Sequence, residues 1–192
     1  MRTIETAIYT FEDVKADKNL LAKVLEKNRY HNANEFFDSD CVIEYFETAC
    51  ETFGLSIEKC YWSGFYSQGD GACFIGKYYP TKDLQELKAS YPTETLWHEC
   101  AEQLSKLGYQ VEISHSGRYY HENSMDFYID EYEKEISESD EKLLKDVFKT
   151  LAKDLYRRLQ DAYEYETSDE GLIEYFTNSD TEFCEDGSIY YE

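Results

Sequence analysis

Asp70 lies between two glycines, Gly69 and Gly71, and is the first candidate for a catalytic or ligand-binding carboxylate. A carboxylate in such a loop can act as a general acid, or the loop can hold an anion or a metal ion. A phosphate-binding loop, however, leads into a helix and adds a lysine or arginine. Here the next residues, Cys73-Phe74-Ile75, are typical of a strand. The sequence therefore favours a structural hairpin or a protein-contact loop around Asp70.

Two histidines, His115 and His121, are six residues apart, and on one continuous strand they would share a face. With Glu122 or Asp126 they form a candidate metal site, and a metal-dependent enzyme built on Asp70, His115 and His121 is one hypothesis. Zinc sites usually show tighter signatures, such as HExxH or paired CxxC, and the sequence contains neither. We therefore predict partly exposed, hydrogen-bonded imidazoles, no metal and no cofactor.

Cysteine chemistry is a further alternative, with Cys73 or Cys100 as a nucleophile beside a histidine. An acidic environment raises the pKa of a thiol and disfavours the reactive thiolate. The chain has six cysteines and no CxxC pair, so we expect reduced and mostly buried thiols. The sequence also lacks a Walker A loop, a dinucleotide-binding fingerprint and a GxSxG elbow. These observations together argue against an enzyme.

The elements that must position these residues follow from apolar periodicity and turn residues. The sequence predicts one α+β domain over residues 1–192, with an antiparallel sheet built from hairpins and packed against several helices, one of them long and amphipathic. The predicted elements are a strand over 2–11, helices over 17–29 and from 38 or 39 to 53, a hairpin over 60–79, helices over 82–90 and 93–107, strands within 109–132, a long helix from 137 or 139 to 159, a helix after Ser168 and a final hairpin at 186–187.

Two details of this prediction concern the hairpins. The turn of the first hairpin is expected near Gly69, so Cys60 and Cys73 would not be opposite each other. In the second region the turn falls at Ser116-Gly117 or at Glu122-Asn123, and we favour the first position or a bulge there. Alternation along the first hairpin should bury one set of its aromatic residues and expose the other.

Charge is the strongest compositional signal, with 41 acidic and 19 basic residues and a net charge of −22. Disorder is not the explanation, because the chain contains 19 tyrosines and 11 phenylalanines. A compact domain of this length is roughly 40 Å across, and ~40 Å of duplex DNA carries about 24 phosphates. We therefore expect no direct binding to nucleic acid or to an anionic membrane, and a basic protein as the partner.

The acidic residues are unevenly distributed, because no lysine or arginine follows Arg158. We interpret the segment 159–192, packed on or appended to the domain, as the first candidate for a surface that mimics a phosphate backbone. A second candidate is the set Asp38, Asp40, Glu44, Glu47 and Glu51, which recurs at helical spacing. An ordinary solvated face is the alternative for both sets. The predicted partner-binding residues are Asp161, Glu164, Glu166, Asp169, Glu170, Glu174, Asp180, Glu182, Glu185 and Asp186, together with Tyr66, Gln68 and Asp70 of the first hairpin.

The run from Trp62 to Phe74 resembles a widespread group of uncharacterised phage, prophage and mobile-element proteins that share an SGFxSQGDGAxF core. Further resemblances occur in order along most of the chain, and the stretch before the final helix is shorter than in that group. They lie at 9–12, 116–121, 163–165, 168–170, 178, 182–183 and 185–187. The resemblance to this group implies no particular activity for this chain. The resemblance implies a phage-like setting, in which small acidic proteins often inhibit host defence enzymes.

Three functions remain as hypotheses. The leading one is a phage-type inhibitor in the host cytoplasm that occupies the nucleic-acid channel of a CRISPR effector or restriction nuclease. The second is a protein-interaction module, antitoxin-like or a regulatory adaptor, that uses the SGFYSQGDGACF hairpin without mimicry. The third is the metal-dependent enzyme described above. The sequence leaves the target and a homodimer open. It shows neither a secretory signal nor a hydrophobic span.

Overall fold

The computed structural model describes residues 7–31, 33, 37, 39–130 and 135–191. These residues form seven α-helices, a four-stranded antiparallel sheet and a two-stranded sheet, which confirms the predicted α+β class. The strands are β1 (Ile8–Thr10), β2 (Leu55–Ser63), β3 (Gly71–Tyr78), β4 (Val111–His115), β5 (Met125–Ile129) and β6 (Glu182–Cys184). The helices are α1 (Phe11–Ala16), α2 (Lys18–Lys27), α3 (Ser39–Glu51), α4 (Gln85–Ser90), α5 (Thr95–Leu107), α6 (Glu138–Glu166) and α7 (Asp169–Thr177).

Contacts within the chain divide it into two compact units. The central unit comprises residues 39–160, and the terminal unit comprises residues 1–38 and 161–192. Nothing in this division tests the predicted single domain, which stays a prediction.

The central unit is built on a sheet with strand order β2-β3-β4-β5, in which all neighbours are antiparallel. The long helix α6 packs on it through Phe148, whose ring lies 5.8 Å from the rings of both Tyr78 and Phe127. The predicted packing of a long amphipathic helix on the sheet is therefore confirmed. Trp97 of α5 and Phe46 of α3 complete the aromatic part of this core, with their rings 5.9 Å apart.

In the terminal unit, β1 pairs with β6, and both strands are only three residues long. The predicted strand over 2–11 runs one residue too far at its end, because Thr10, the last residue of β1, also caps helix α1, which begins at Phe11. The Thr10 hydroxyl accepts a hydrogen bond from the Asp13 amide while the Asp13 carboxylate accepts one from the Thr10 amide. The expected strand residues 2–6 lie outside the described residues. The core of this unit joins both parts of the chain and includes Phe11, Val24, Phe176 and Phe183.

Three helices begin within one residue of their predicted starts. Asp17 caps α2, and Ser168 caps α7 by accepting a hydrogen bond from the Gly171 amide at 3.0 Å. Ser137 accepts from the Asp140 amide at the start of α6. The helices predicted over 82–90 and 93–107 are shorter at their starts, at Gln85 and Thr95. The predicted final hairpin is present as a single antiparallel bridge between Phe183 and Ile189 around Gly187.

The second hairpin corrects two expectations. β4 ends at His115, which pairs with Met125 of β5, so both candidate turns lie inside one nine-residue connection. His121 lies in that connection and caps the short 3-10 turn Glu122–Ser124. The two histidines are therefore not on one continuous strand, and the argument that they share a strand face is wrong. Among the described residues, no helix is both long and apolar enough to cross a membrane.

Candidate functional site

The connection between β2 and β3, residues 64–70 and here named loop A, is held by the Asp70 carboxylate. One oxygen of Asp70 accepts hydrogen bonds from the backbone amides of Tyr66 at 3.0 Å and Ser67 at 2.6 Å. Gly64 has a positive φ of 41°, and a Cβ there would lie 2.4 Å from the same carboxylate. Because the carboxylate satisfies loop amides, Asp70 has the structural role that the sequence favoured.

The connection between β4 and β5, residues 116–124 and here named loop B, packs directly on loop A. A Cβ at Gly69 would lie 3.1 Å from the Tyr119 ring, and one at Gly71 would lie 2.6 Å from the His121 Cβ. Close approach of loop B therefore requires glycine at Gly71, whereas at Gly69 the positive φ of 97° is the stronger reason for glycine. Two segments that are far apart in the sequence, and that both carry the resemblance noted above, thus form one surface.

A stack of three rings lies beside these loops. The Tyr61 ring is 5.3 Å from that of Tyr120 and 5.5 Å from that of His115, and both pairs are nearly parallel. The Lys59 ammonium lies 4.7 Å from the centre of the Tyr61 ring, within the range of a cation–π contact. The His115 Nε2 is 3.0 Å from the Tyr119 carbonyl oxygen. These contacts tie strand β2 to loop B.

Helix α6 borders both loops. Lys149 donates to the Asn123 side-chain oxygen at 3.1 Å, and the Lys153 ammonium is 3.6 Å from the Glu122 carboxylate. On the loop A side, the ring of Tyr156 lies 5.7 Å from that of Phe65. Burial raises the pKa of Tyr156, and the neighbouring Asp70 and Tyr66 raise it further.

Some residues of this surface are exposed, and others on the same hairpin are buried in the core. Tyr66 is 75% exposed and Tyr119 is 55% exposed, and Gln68 is also exposed. Phe74 and Tyr78 of the same hairpin are fully buried. The expected alternation does not hold on β2, because its neighbouring residues Tyr61 and Trp62 are both half-buried. Of the predicted contact residues on loop A, Tyr66 and Gln68 are exposed to solvent. Asp70 instead accepts hydrogen bonds from the backbone amides of the loop.

The metal hypothesis gains no support from this geometry. The His121 Nδ1 accepts a hydrogen bond from the Asn123 amide at 3.0 Å, and the Asp70 carboxylate is used by loop A. Across the ranges that the structure describes, no three His, Cys, Asp or Glu side chains are grouped so that they could hold a metal ion.

The two candidate nucleophiles, Cys73 and Cys100, are not activated. None of the six forms a disulfide, and Cys60 is paired in the sheet with Phe74 rather than with Cys73, as predicted. Burial raises the pKa of Cys73 and raises that of Cys100 to about 12. The thiolate is thus disfavoured, although burial and not the acidic surface is the main cause. Only three thiols are fully buried, and Cys41 is exposed, so the expectation of mostly buried thiols holds for half of them.

The predicted acidic residues of the terminal unit fall into two groups. Some are paired: Asp186 lies 2.6 Å from the Lys27 ammonium, and Asp169 lies 2.7 Å from the Arg29 guanidinium. The Lys27 hydrogen bond holds the pKa of Asp186 well below its usual range. The exposed carboxylates for which the described contacts show no ion pair include Asp161, Glu170, Glu174, Asp180, Glu182 and Glu185. The absence of basic residues after Arg158 is therefore offset in part by Lys27 and Arg29.

The charges of three carboxylates of this unit act on one hydroxyl. The Tyr165 hydroxyl donates to Glu174, and this bond is the main reason that the pKa of Tyr165 is raised to about 12. The negative charges of Glu174, Glu170 and Glu166 also raise it. Glu166 at the end of α6 thus adds its charge to those of Glu170 and Glu174, which are one turn apart on α7. We name Glu166, Glu170 and Glu174 the acidic cluster.

The second acidic set is less uniform than predicted. Asp40, Glu44 and Glu51 are exposed on α3, but Glu47 is half-buried and hydrogen-bonds the Cys60 thiol. Glu47 therefore faces the sheet and not only the solvent. Asp38 lies outside the described residues.

Sequence reasoning missed a buried charged network in the central unit. The Asp154 carboxylate, only 3% exposed, accepts hydrogen bonds from Trp97 Nε1 at 2.8 Å and from Arg157 and Arg158 at 2.6 Å. Arg158 also bonds Glu94 and lies 4.2 Å above the Trp97 ring. The spacing of Asp154, Arg157 and Arg158 along one helix was a visible signal. The Trp97 partner, 57 residues away, was not.

Comparison with known proteins adds a family. Residues 39–169 match the model of a domain of unknown function, DUF8835. The chain belongs to the DUF8835 family. No curated protein and no solved structure matches it. The DUF8835 match contains the whole central unit, both loops and helix α6, whereas most of the acidic candidates of the terminal unit follow it.

Proposed function

We propose that the protein is a phage-type inhibitor of a host nucleic-acid-binding defence enzyme, such as a CRISPR effector or a restriction nuclease, and that it acts in the host cytoplasm. Exposed carboxylates of the terminal unit take the place of phosphates in a groove lined by lysine and arginine. Complementary charge of this kind steers the encounter and lets the protein compete with the polymer that the groove normally binds.

The observation that carries this proposal is the acidic cluster. Glu174 accepts a hydrogen bond from the Tyr165 hydroxyl, Glu170 is exposed one turn before it on α7, and the charge of Glu166 acts on the same hydroxyl, so the three form a negative patch. Asp161, Asp180, Glu182 and Glu185 of the same unit are also exposed. A dense patch is better suited to phosphate mimicry than the same number of charges spread evenly, because a basic groove binds successive phosphates a few ångströms apart.

The test is binding to a basic nuclease or CRISPR effector at rising ionic strength. We expect the logarithm of the association constant to fall linearly with the logarithm of the salt concentration, as it does for nucleic acid. The triple substitution Glu170→Gln, Glu182→Gln and Glu185→Gln should weaken binding strongly. The matched control, Glu86→Gln, Glu99→Gln and Glu112→Gln, removes the same charge from exposed positions of the central unit and should bind almost as well as the wild type.

Salt-insensitive binding would contradict mimicry, and so would equal losses in the two triple variants, since these would indicate an effect of net charge alone. The interaction module that uses the SGFYSQGDGACF hairpin stays a prediction. Under that alternative, Gln68→Ala abolishes target binding while the acidic triple variant keeps it. A homodimer also stays open, and sedimentation of the purified protein tests it.

A further inference from the structure

Helix α6 carries a stripe of positive charge in an otherwise acidic chain. Lys145, Lys149, Lys153 and Arg157 recur at every fourth position, a spacing that places side chains on one side of a helix. Lys145 is paired with Glu141 of the preceding turn. The side chains of Lys153 and Arg157 are 64% and 65% exposed.

The same stripe runs beside exposed aromatic rings. Lys149 and Lys153 contact loop B, and Tyr156 contacts loop A. Loop B carries the exposed residues Arg118 and Tyr119, and loop A carries Tyr66. We define the basic-aromatic face by Arg118, Lys149, Lys153, Arg157, Tyr66 and Tyr119. All six residues lie within the region matched by DUF8835.

The backbone that carries these tyrosines is fixed by packing and hydrogen bonds. Gly69 lies against the Tyr119 ring, and Asp70 accepts a hydrogen bond from the Tyr66 amide. Exposed rings beside exposed cations are the two parts of a site for single-stranded nucleic acid, in which bases stack and phosphates pair with lysine and arginine.

The net charge of −22 does not forbid such a site. At physiological salt the Debye length is about 8 Å, so a bound strand responds mainly to charges within one or two side-chain lengths. The counter-charges that contact these cations are Glu122, 3.6 Å from Lys153, and Asp154, which is buried beneath Arg157. An ion pair at a surface is weak, and a phosphate can replace a carboxylate as the partner of Lys153.

We propose that the basic-aromatic face binds single-stranded nucleic acid. This departs from the sequence-based expectation of no direct nucleic acid, and it does not rest on the acidic surface of the terminal unit. Duplex is the weaker ligand, because its bases are already stacked and cannot cover Tyr66 and Tyr119. An acidic protein segment would satisfy the cations but would leave the rings without a stacking partner.

The experiment is fluorescence anisotropy of a labelled oligothymidine of about twelve nucleotides, within the site sizes known for single-strand binders. The full chain is titrated at about 0.1 M salt, beside the duplex of the same length and beside polyglutamate. We expect the single strand to bind more tightly than either. Tyr66→Ala should weaken binding roughly 5- to 150-fold, the range for loss of one stacked base, and Tyr66→Phe should restore it.

The double variant Lys149→Ala and Lys153→Ala should lower the slope of log K against log salt by about 1.4, for two lost phosphate contacts. Its control, Lys82→Ala and Lys106→Ala, removes two exposed lysines of the same unit and should leave the slope unchanged. Circular dichroism of each variant verifies folding. Undetectable single-strand binding, tighter binding of duplex or polyglutamate, or equal slopes for the two double variants would overturn the proposal.

Discussion

The central and terminal units are both acidic, but they use carboxylates in opposite ways. By sequence, the terminal unit has 18 acidic and 6 basic residues, and the central unit has 23 and 13. In the central unit, Asp154 is buried against two arginines and Asp70 is bound by loop amides. In the terminal unit, Glu166, Glu170 and Glu174 crowd one tyrosine at the surface. Net charge therefore does not predict the role of any single carboxylate, because that role depends on the burial and the neighbours of the side chain.

The largest expected difference between the units concerns the loss of one carboxylate. Asp154→Ala leaves the Trp97 N–H without its acceptor in the core and removes one of the two carboxylate partners of Arg158, which keeps only Glu94. We expect a loss of about 3–5 kcal/mol in the free energy of unfolding, measured by urea denaturation. Asp186→Ala removes an exposed partner of Lys27 in the terminal unit and should change stability far less. Asp154→Asn keeps an acceptor for Trp97, so an intermediate loss is expected if the variant with alanine does not fold.

Equal losses of stability for Asp154→Ala and Asp186→Ala would contradict the contrast between buried and surface carboxylates.

A Trp97→Phe substitution tests the same buried network from its donor side. That substitution removes only the indole donor and some packing, so its loss should be smaller than that of Asp154→Ala. The reverse order would mean that Trp97 packing, and not the charged network, stabilises this region.

A smaller effect is expected at the packing of the two loops. Gly71→Ala places a methyl group 2.6 Å from the His121 Cβ and 3.0 Å from the Tyr120 carbonyl oxygen, so loop B must shift. Crowding of this kind costs about 1–3 kcal/mol, and hydrogen exchange should show lost protection in loop B. Gln68→Ala, an exposed change in loop A, should alter stability by less than about 0.5 kcal/mol. Equal stability of the two variants would show that loop B does not depend on this close approach.

The smallest effect is a pH dependence in the terminal unit. The pKa of Tyr165 is raised from 10.0 to about 12, first by its hydrogen bond to Glu174. A raised folded-state pKa means that the stabilisation is complete below about pH 10 and is lost as pH rises from about 10 to about 12. The difference in tyrosinate absorbance between the wild type and Tyr165→Phe should report this titration. Glu174→Gln should move it to lower pH, and an unchanged titration would contradict the acidic cluster.

Much of the fold was predictable because its signals are local. The caps Asp17 and Ser168, the apolar repeat of α6 and the glycines around Asp70 each act within a few residues of their own position. The predictions of secondary structure failed where the same residues also suited a different structure. Thr10 is a good strand residue, but its hydroxyl and Asp13 together cap a helix. His115 and His121 have strand spacing, but the chain leaves the sheet after His115.

The candidate sites were predictable in residue type and not in arrangement. The sequence identified the acidic residues after Arg158, the glycine-rich hairpin and the distinctive residues of both loops. It could not show that Lys27 at the end of α2 and Arg29 just after it neutralise two of the carboxylates, because both residues are more than 130 residues from their partners. The sequence also showed no sign that α6 and the two loops bring cations together with exposed tyrosines.

The sequence by itself determined the class of fold, most of the helix starts, the overall negative charge and the lack of common catalytic signatures. These depend on composition and on spacings of a few residues. The tertiary structure alone decided which carboxylates are buried, which are paired and which crowd together. It also decided that loop B lies on loop A. Such outcomes depend on distances between residues remote in the chain, and burial and electrostatic interactions change steeply over those few ångströms.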